Sequence, residues 1–171
     1  TNKWHNLSKM PKHLAKLHEQ GDLYYHDLDS YNLTTNCLHI DTGKVFENGF
    51  NTGYGTIRKP KRIESAAELS CILLQSSQND MFGGQSHVNF DNDMAPYVGL
   101  TREEIKQEFA PLKSSLSEED FTTFVENKLV SRVRQSMQGI VYNLNTMHSR
   151  AGSQVPFSSL NIGLPQSNDA A

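Results

Sequence analysis

Cysteine is nearly missing from this chain. Cys37 and Cys71 are the only two in 171 residues, too few for a disulfide framework or a four-cysteine metal site, so a reducing cytoplasm is the expected setting. No run approaches the roughly 20 apolar residues of a membrane span, and no charged-then-apolar signal segment opens the chain. A basic excess is also lacking: 16 Lys and Arg stand against 19 Asp and Glu, for a formal charge of -3. That balance argues against a general nucleic-acid or membrane-surface binder, so any nucleotide bound is expected to be a small one. There is no internal repeat and no low-complexity segment. Residues 1–171 read as a single domain, since a chain near this length typically buries about 70 % of its unfolded surface. The chain opens inside a helix-forming region without an initiator methionine and stops soon after a strand, as an excised piece would.

What is present alternates between helix and strand. SKMPKHLAKLHEQGD predicts a helix capped by Ser8 and ended by Gly21, with Leu14 and Leu17 at helical spacing. LYYHDLD reads as a strand or turn, and NLTTNCLHID, residues 32–41, as a strand carrying Cys37. Between Gly43 and Lys61 the glycines and scarce apolar repeats predict an irregular connection. IESAAELSCILLQSSQ is a helix with Ala67, Cys71 and Leu74 on its apolar face. GGQSHVNFD reads as a strand. Thr101 begins a helix limited or kinked at Pro111. Ser117 and Asp120 form a capping pair for a long helix, whose stripe runs through Phe121, Phe124, Val125, Leu129, Val133, Met137, Ile140, Val141 and Leu144. FSSLNIG closes as a strand. Alternating strands and helices are the grammar of an α/β layer or barrel.

Several stretches could carry chemistry. Cys37 is either a redox thiol or a small buried apolar side chain. Cys71, on an apolar helix face, reads as core. His26, Asp27, His39 and Asp41 could furnish metal ligands, but adjacent strand residues point to opposite faces and no further cluster completes a shell. The polar run QSSQNDMFGGQSH is either a site or a cap and turn. Ser149, Arg150, Gly152, Ser153 and Gln154 lie between the long helix and the last strand. Arginine is a planar fork of donors and glycine lets backbone come close, so this loop suits a polar or anionic ligand as well as it suits an ordinary turn.

Taken in order, GDLYYHDLDSY, TNCLHID, QSSQNDMFGGQSHVNFD and NLNTMHSRAGSQVPFSSLNIG resemble the N-terminal part of the catalytic barrel of the anaerobic, class III ribonucleoside-triphosphate reductases, which are glycyl-radical enzymes. The resemblance spans roughly residues 7–164. It implies a helix-rich α/β fold, the first half of a ten-stranded α/β barrel of the ribonucleotide reductase and pyruvate formate-lyase type. It further implies that Cys37 faces the substrate ribose, with Asn36, Ser158, Ser159 and Asn161 as substrate-binding residues. Ser149, Arg150, Ala151, Gly152, Ser153 and Gln154 would form the specificity loop between substrate base and allosteric deoxynucleotide. Arg58, Lys61 and Arg62, just before a helix, would meet the effector triphosphate.

The same resemblance implies ribonucleoside triphosphate substrates with magnesium, deoxynucleoside triphosphate or ATP effectors, formate as reductant, a homodimer, and an iron-sulfur S-adenosylmethionine activating enzyme. The thiyl cysteine, the radical glycine and a zinc site are expected beyond residue 171, so the fragment alone is expected to be inactive. This chain reads Tyr24-Tyr25-His26-Asp27 where several members carry His-x-His-Asp, which removes one histidine from that motif. Two other functions fit the residues: a metal-dependent phosphohydrolase using the His-Asp pairs, and a non-catalytic nucleotide-binding or dimerisation module.

Overall fold

The computed structural model describes every residue except Thr1, Asp27, Asp29, Ser30, Asn32, Leu33, Thr34, Phe82, Ala151 and Ala171. The N-terminal helix expected from Ser8 is two helices, α1 (Asn2–Lys9) and α2 (Lys12–Gln20). Pro11 separates them, because proline has no N–H for a continuing helix and its ring clashes with the preceding turn. Ser8 lies inside α1 with its hydroxyl donating to the His5 carbonyl at 2.6 Å, so it is not a cap. Helix α2 ends at Gly21 as expected. Leu7, Met10 and Leu28 bury a small cluster of their own here. Residues 23–26 form no strand; the Tyr25 N–H donates to His18 Nδ1 at 3.2 Å, which favours the turn reading.

Strand β1 (Leu38–Ile40) is shorter than expected, with Thr35 making an isolated parallel bridge to Met81. The stretch expected to be irregular contains a helix, α3 (Thr42–Asn48), and a hairpin of β2 (Phe50–Asn51) and β3 (Thr56–Ile57). Two features account for α3: a local cap, in which the Asp41 side chain accepts from the Lys44 N–H at 3.1 Å, and the full burial of Phe46 in the tertiary core. The glycines that suggested a loop lie in and around this short structure, where tertiary burial outweighs their low propensity. Helix α4 (Ile63–Ser77) follows, then a 3-10 turn (Gln78–Asp80) and β4 (Gln85–His87). β4 stops early because Phe90 begins α5 (Phe90–Glu108), eleven residues before the expected start at Thr101. Pro96 sits within α5, and Pro111 lies in a separate 3-10 turn, Ala110–Ser114.

Helix α6 (Glu118–Thr146) matches its expected cap, Ser117 Oγ accepting from the Asp120 N–H at 3.1 Å. β5 (Ser158–Leu160) completes a three-stranded parallel sheet of order β1-β4-β5. Helices α4, α5 and α6 pack together through Ile63, Ala66, Ala67, Cys71, Tyr97, Ile105, Phe121, Val125, Leu129 and Ile140. Each large apolar side chain buried there contributes about 1.5–3 kcal/mol. Arg132 of α6 pairs with Glu64 of α4 and, at 3.5 Å, with Glu104 of α5, tying the three helices at their rim. Partly exposed pairs of this kind contribute about 1 kcal/mol or less. Among the described residues no helix is long and apolar enough to cross a membrane.

Candidate active site

Side chains alternate along a strand while paired residues of parallel neighbours share a face. Leu38, Gln85 and Ser158 form one row across the sheet, His39, Ser86 and Ser159 the next, and Ile40, His87 and Leu160 the third. The first and third rows turn toward the helices. Gln85 donates to the Leu74 carbonyl of α4 at 2.8 Å, Ile40 is buried, and Leu160 packs on the helical core. His87 is fully buried, with Nδ1 at 2.5 Å from the Thr42 hydroxyl. Desolvation pushes its pKa down to about 4; the Ser70 carbonyl opposes this only partly, without a full hydrogen bond to Nε2.

The middle row belongs to the other face. There His39 Nδ1 lies 2.6 Å from Ser86 Oγ. A cavity of about 340 Å³ opens over this face, lined by Cys37, Leu38, His39, Gly84, Gln85, Ser86, Phe157, Ser158, Ser159 and Asn161. Its lining contains no carboxylate. The thiol of Cys37 lies 3.6 Å from the Asn36 side-chain oxygen, and the Gly83 N–H donates to the Asn36 carbonyl at 2.7 Å. Gly83 has to be glycine: a Cβ there would sit 2.2 Å from that carbonyl oxygen and 2.7 Å from Cys37 Sγ.

Five residues expected to act together are therefore neighbours: Asn36 beside Cys37, and Ser158, Ser159 and Asn161 across the sheet. Ser158 and Ser159 do not present equally, however, since Ser158 shares the helix-side row with Gln85. Period-two alternation turns their side chains to opposite faces, although both residues line the cavity. His39 and Ser86 are the residues that sequence reasoning missed as cavity lining. His39 lies two residues beyond Cys37, so strand alternation alone could have found it. Ser86 needed the register.

The loop after α6 is a tight turn. Arg150 and Gln154 bridge each other with N–H to carbonyl distances of 3.0 and 3.3 Å, while Gly152 and Ser153 adopt left-handed backbone at φ 79° and 57°. The Asn79 amide donates to the Ser149 carbonyl at 3.3 Å, holding the loop's entry against the turn after α4. Ala151 lies outside the described residues. Arg58, Lys61 and Arg62 come together with Lys59 and Ser65 around a second cavity of about 500 Å³ at the start of α4. Arg62 also reaches Glu104 at 3.5 Å. Cys71 is buried among core residues, and burial first, then Glu68, pushes its thiol up to about 11. Asp27 lies outside the described residues, and among those described no group of three His, Cys, Asp or Glu side chains could hold a metal.

The chain is 26% identical to the anaerobic ribonucleoside-triphosphate reductase of Escherichia coli (strain K12) over 157 residues, 91% of this chain and 21% of that protein. It is 28% identical to the enzyme of the same name from Enterobacteria phage T4 over 156 residues, 90% of this chain and 25% of the relative. It thus spans about a quarter or less of these proteins. The crystal structure of the anaerobic ribonucleotide reductase from Thermotoga maritima with citrate in the active site shares the fold, with a TM-score of 0.62 and 16% identity over 93% of this chain and 26% of that one. The family described as anaerobic ribonucleoside-triphosphate reductase matches residues 1–171, and the chain belongs to it.

Proposed function

We propose that this chain is the first half-barrel of an enzyme that reduces ribonucleoside triphosphates to deoxyribonucleoside triphosphates with formate, under specificity control by deoxynucleotides. One observation carries the reading: in a member of this family, Cys37 lies at a cavity on the helix-free face of a parallel sheet, beside Asn36, Ser159 and Asn161. In a closed barrel that face is the interior, where a ligand is held away from water. Thiol, amide and hydroxyl groups suit the ribose hydroxyls, and a lining without carboxylates suits an anionic reductant.

The net reaction joins formate, a proton and the C2′ hydroxyl to give carbon dioxide, water and a C2′–H bond. The family's glycyl radical, expected on sequence outside these residues together with the thiyl cysteine and a zinc site, supplies hydrogen-atom abstraction from the sugar. The part taken by this chain is narrower. Cys37 gives or accepts a hydrogen atom at the 2′ side, Asn36 and Asn161 orient the sugar, and the 149–154 loop meets the base. The cationic cavity at Arg58, Lys61 and Arg62 takes the effector triphosphate. ATP as a further effector, magnesium-bound nucleotides, a cytoplasmic homodimer and an iron-sulfur S-adenosylmethionine activating enzyme complete the proposal.

The test is Cys37→Ser in the full-length enzyme. An alcohol O–H is a far poorer hydrogen-atom donor than a thiol of similar size, so nucleotide reduction is expected to vanish while nucleotide binding persists. Appreciable residual turnover would exclude the role.

A further inference from the structure

The reaction proposed above consumes one proton at the departing 2′ oxygen, and the cavity holds a group suited to deliver it. Cys37 and His39 are the two titratable side chains lining the cavity. Imidazole is the side chain that ordinarily gains and loses its proton near neutral pH. His39 stands on the open face in register with Ser86 and Ser159, and its Nδ1 is engaged by Ser86 Oγ at 2.6 Å. That contact orients the ring and leaves Nε2 as the nitrogen for a ligand. Sharing the cavity with His39 are Cys37 on its own strand segment, Gly84 just before β4, Ser86 within it, and Phe157, Ser159 and Asn161 around β5. Just beyond its strand, Asp41 at the cap of α3 and Lys44 within α3 pair with each other at 2.9 Å. His87, on the neighbouring strand, belongs to the buried face.

We propose that His39, held by Ser86, is the general acid for departure of the 2′ hydroxyl. This rests on the function proposed above. In the step, the C2′–O bond breaks with its electron pair on oxygen and the imidazolium N–H bond breaks. Its proton joins that oxygen, water leaves, and the imidazole remains neutral until solvent reprotonates it. The sugar is left short of one electron pair, which the two electrons of formate restore as formate becomes carbon dioxide. Ser86 is a positioning residue: as acceptor for Nδ1–H it keeps the charged ring aimed at the cavity.

The experiment uses the full-length, activated enzyme. General-acid catalysis is typically worth about 100-fold to 10,000-fold, so His39→Gln is expected to lower kcat by about 100-fold or more with KM for the ribonucleoside triphosphate little changed. The alkaline fall of kcat expected of the parent should be absent from this variant, and added imidazole should restore part of the rate to His39→Gly. Ser86→Ala should lower kcat less and keep the alkaline fall, since the acid is present but poorly aimed. His39 is exposed, so its replacement disturbs little packing, and retained deoxynucleotide binding reports the fold. A His39→Gln enzyme with the parent's kcat and pH profile, or one altered only in KM, would overturn the assignment. The two proposals fail separately. If Cys37→Ser is inactive while His39→Gln is unimpaired, only this inference falls; if the parent enzyme reduces no nucleotide, the function proposed above falls first.

Discussion

Two cysteines with the same side chain end in contrasting surroundings, one buried and one exposed. Cys71 is walled in by α4 and α6, and burial holds its proton on, which suits packing and disfavours thiolate chemistry. Cys37 is exposed and lines the cavity over the sheet. The two strand histidines show the same contrast, since His39 faces the cavity while His87 lies beneath the sheet. The folded-state pKa of His87 falls from the usual 6.5 to about 4, so between those values the unfolded chain takes up the proton more readily. Its contribution to stability is therefore complete above about pH 6.5 and is lost as pH falls toward 4. The loss should be about 2 kcal/mol by pH 5. Denaturant midpoints at pH 7 and pH 5 check this. His87→Gln should be less stable at pH 7 but lose much less on acidification, and an equal loss in both proteins would contradict the argument.

Among the elements, the loop between α6 and β5 depends on the backbone freedom of a glycine. Gly152 sits at φ 79°, and a Cβ there would meet nothing within 4 Å, so the constraint is backbone conformation rather than space. A β-branched residue is strongly disfavoured in that region. Gly152→Val in the full-length enzyme should therefore reset the loop while leaving the strand of Cys37 in place. Site-to-site coupling is typically worth about 1–3 kcal/mol, so effector-dependent preferences of roughly tenfold should shrink toward unity, more than the best turnover falls. Rates for two competing substrates, measured with each effector, provide the check. Ratios that still swing fully would make the loop a connector only. Helix α3 illustrates the opposite dependence: its cap at Asp41 is local, but Phe46 is held by tertiary burial that composition does not reveal.

At the scale of the molecule, the sheet has one face packed on helices and one opening on the Cys37 cavity, and the cationic cavity lies at the start of α4 rather than on the sheet. Arg62 leans on Glu104, which also meets Arg132 of α6, so a charge network connects this cavity with the helix that leads into the 149–154 loop. Lys61 has no such carboxylate partner among the ion pairs of the described residues, which makes it the cleaner probe. Hydrogen bonds to charged groups contribute about 1.5–3 kcal/mol, so Lys61→Glu should weaken deoxynucleoside triphosphate binding by about tenfold or more at low salt. Calorimetric titration of the full-length enzyme measures it, and unchanged affinity would remove Lys61 from the effector site.

Local pattern was sufficient for α4, for the cap and length of α6 and for the stop at Gly21, because caps, helical periodicity and glycine conformations act over a few residues. It also marked Cys37, Asn36 and the 158–161 segment as candidates through motif resemblance. Tertiary structure alone decided which of them share a face. Ser158 and Ser159 are adjacent in sequence but fall on opposite sides of the sheet, while His39 and Ser86, 47 residues apart, touch. The division between a histidine that meets the cavity and one buried beneath it is likewise a matter of strand register. Register arises from pairing between distant segments, and no local pattern contains it.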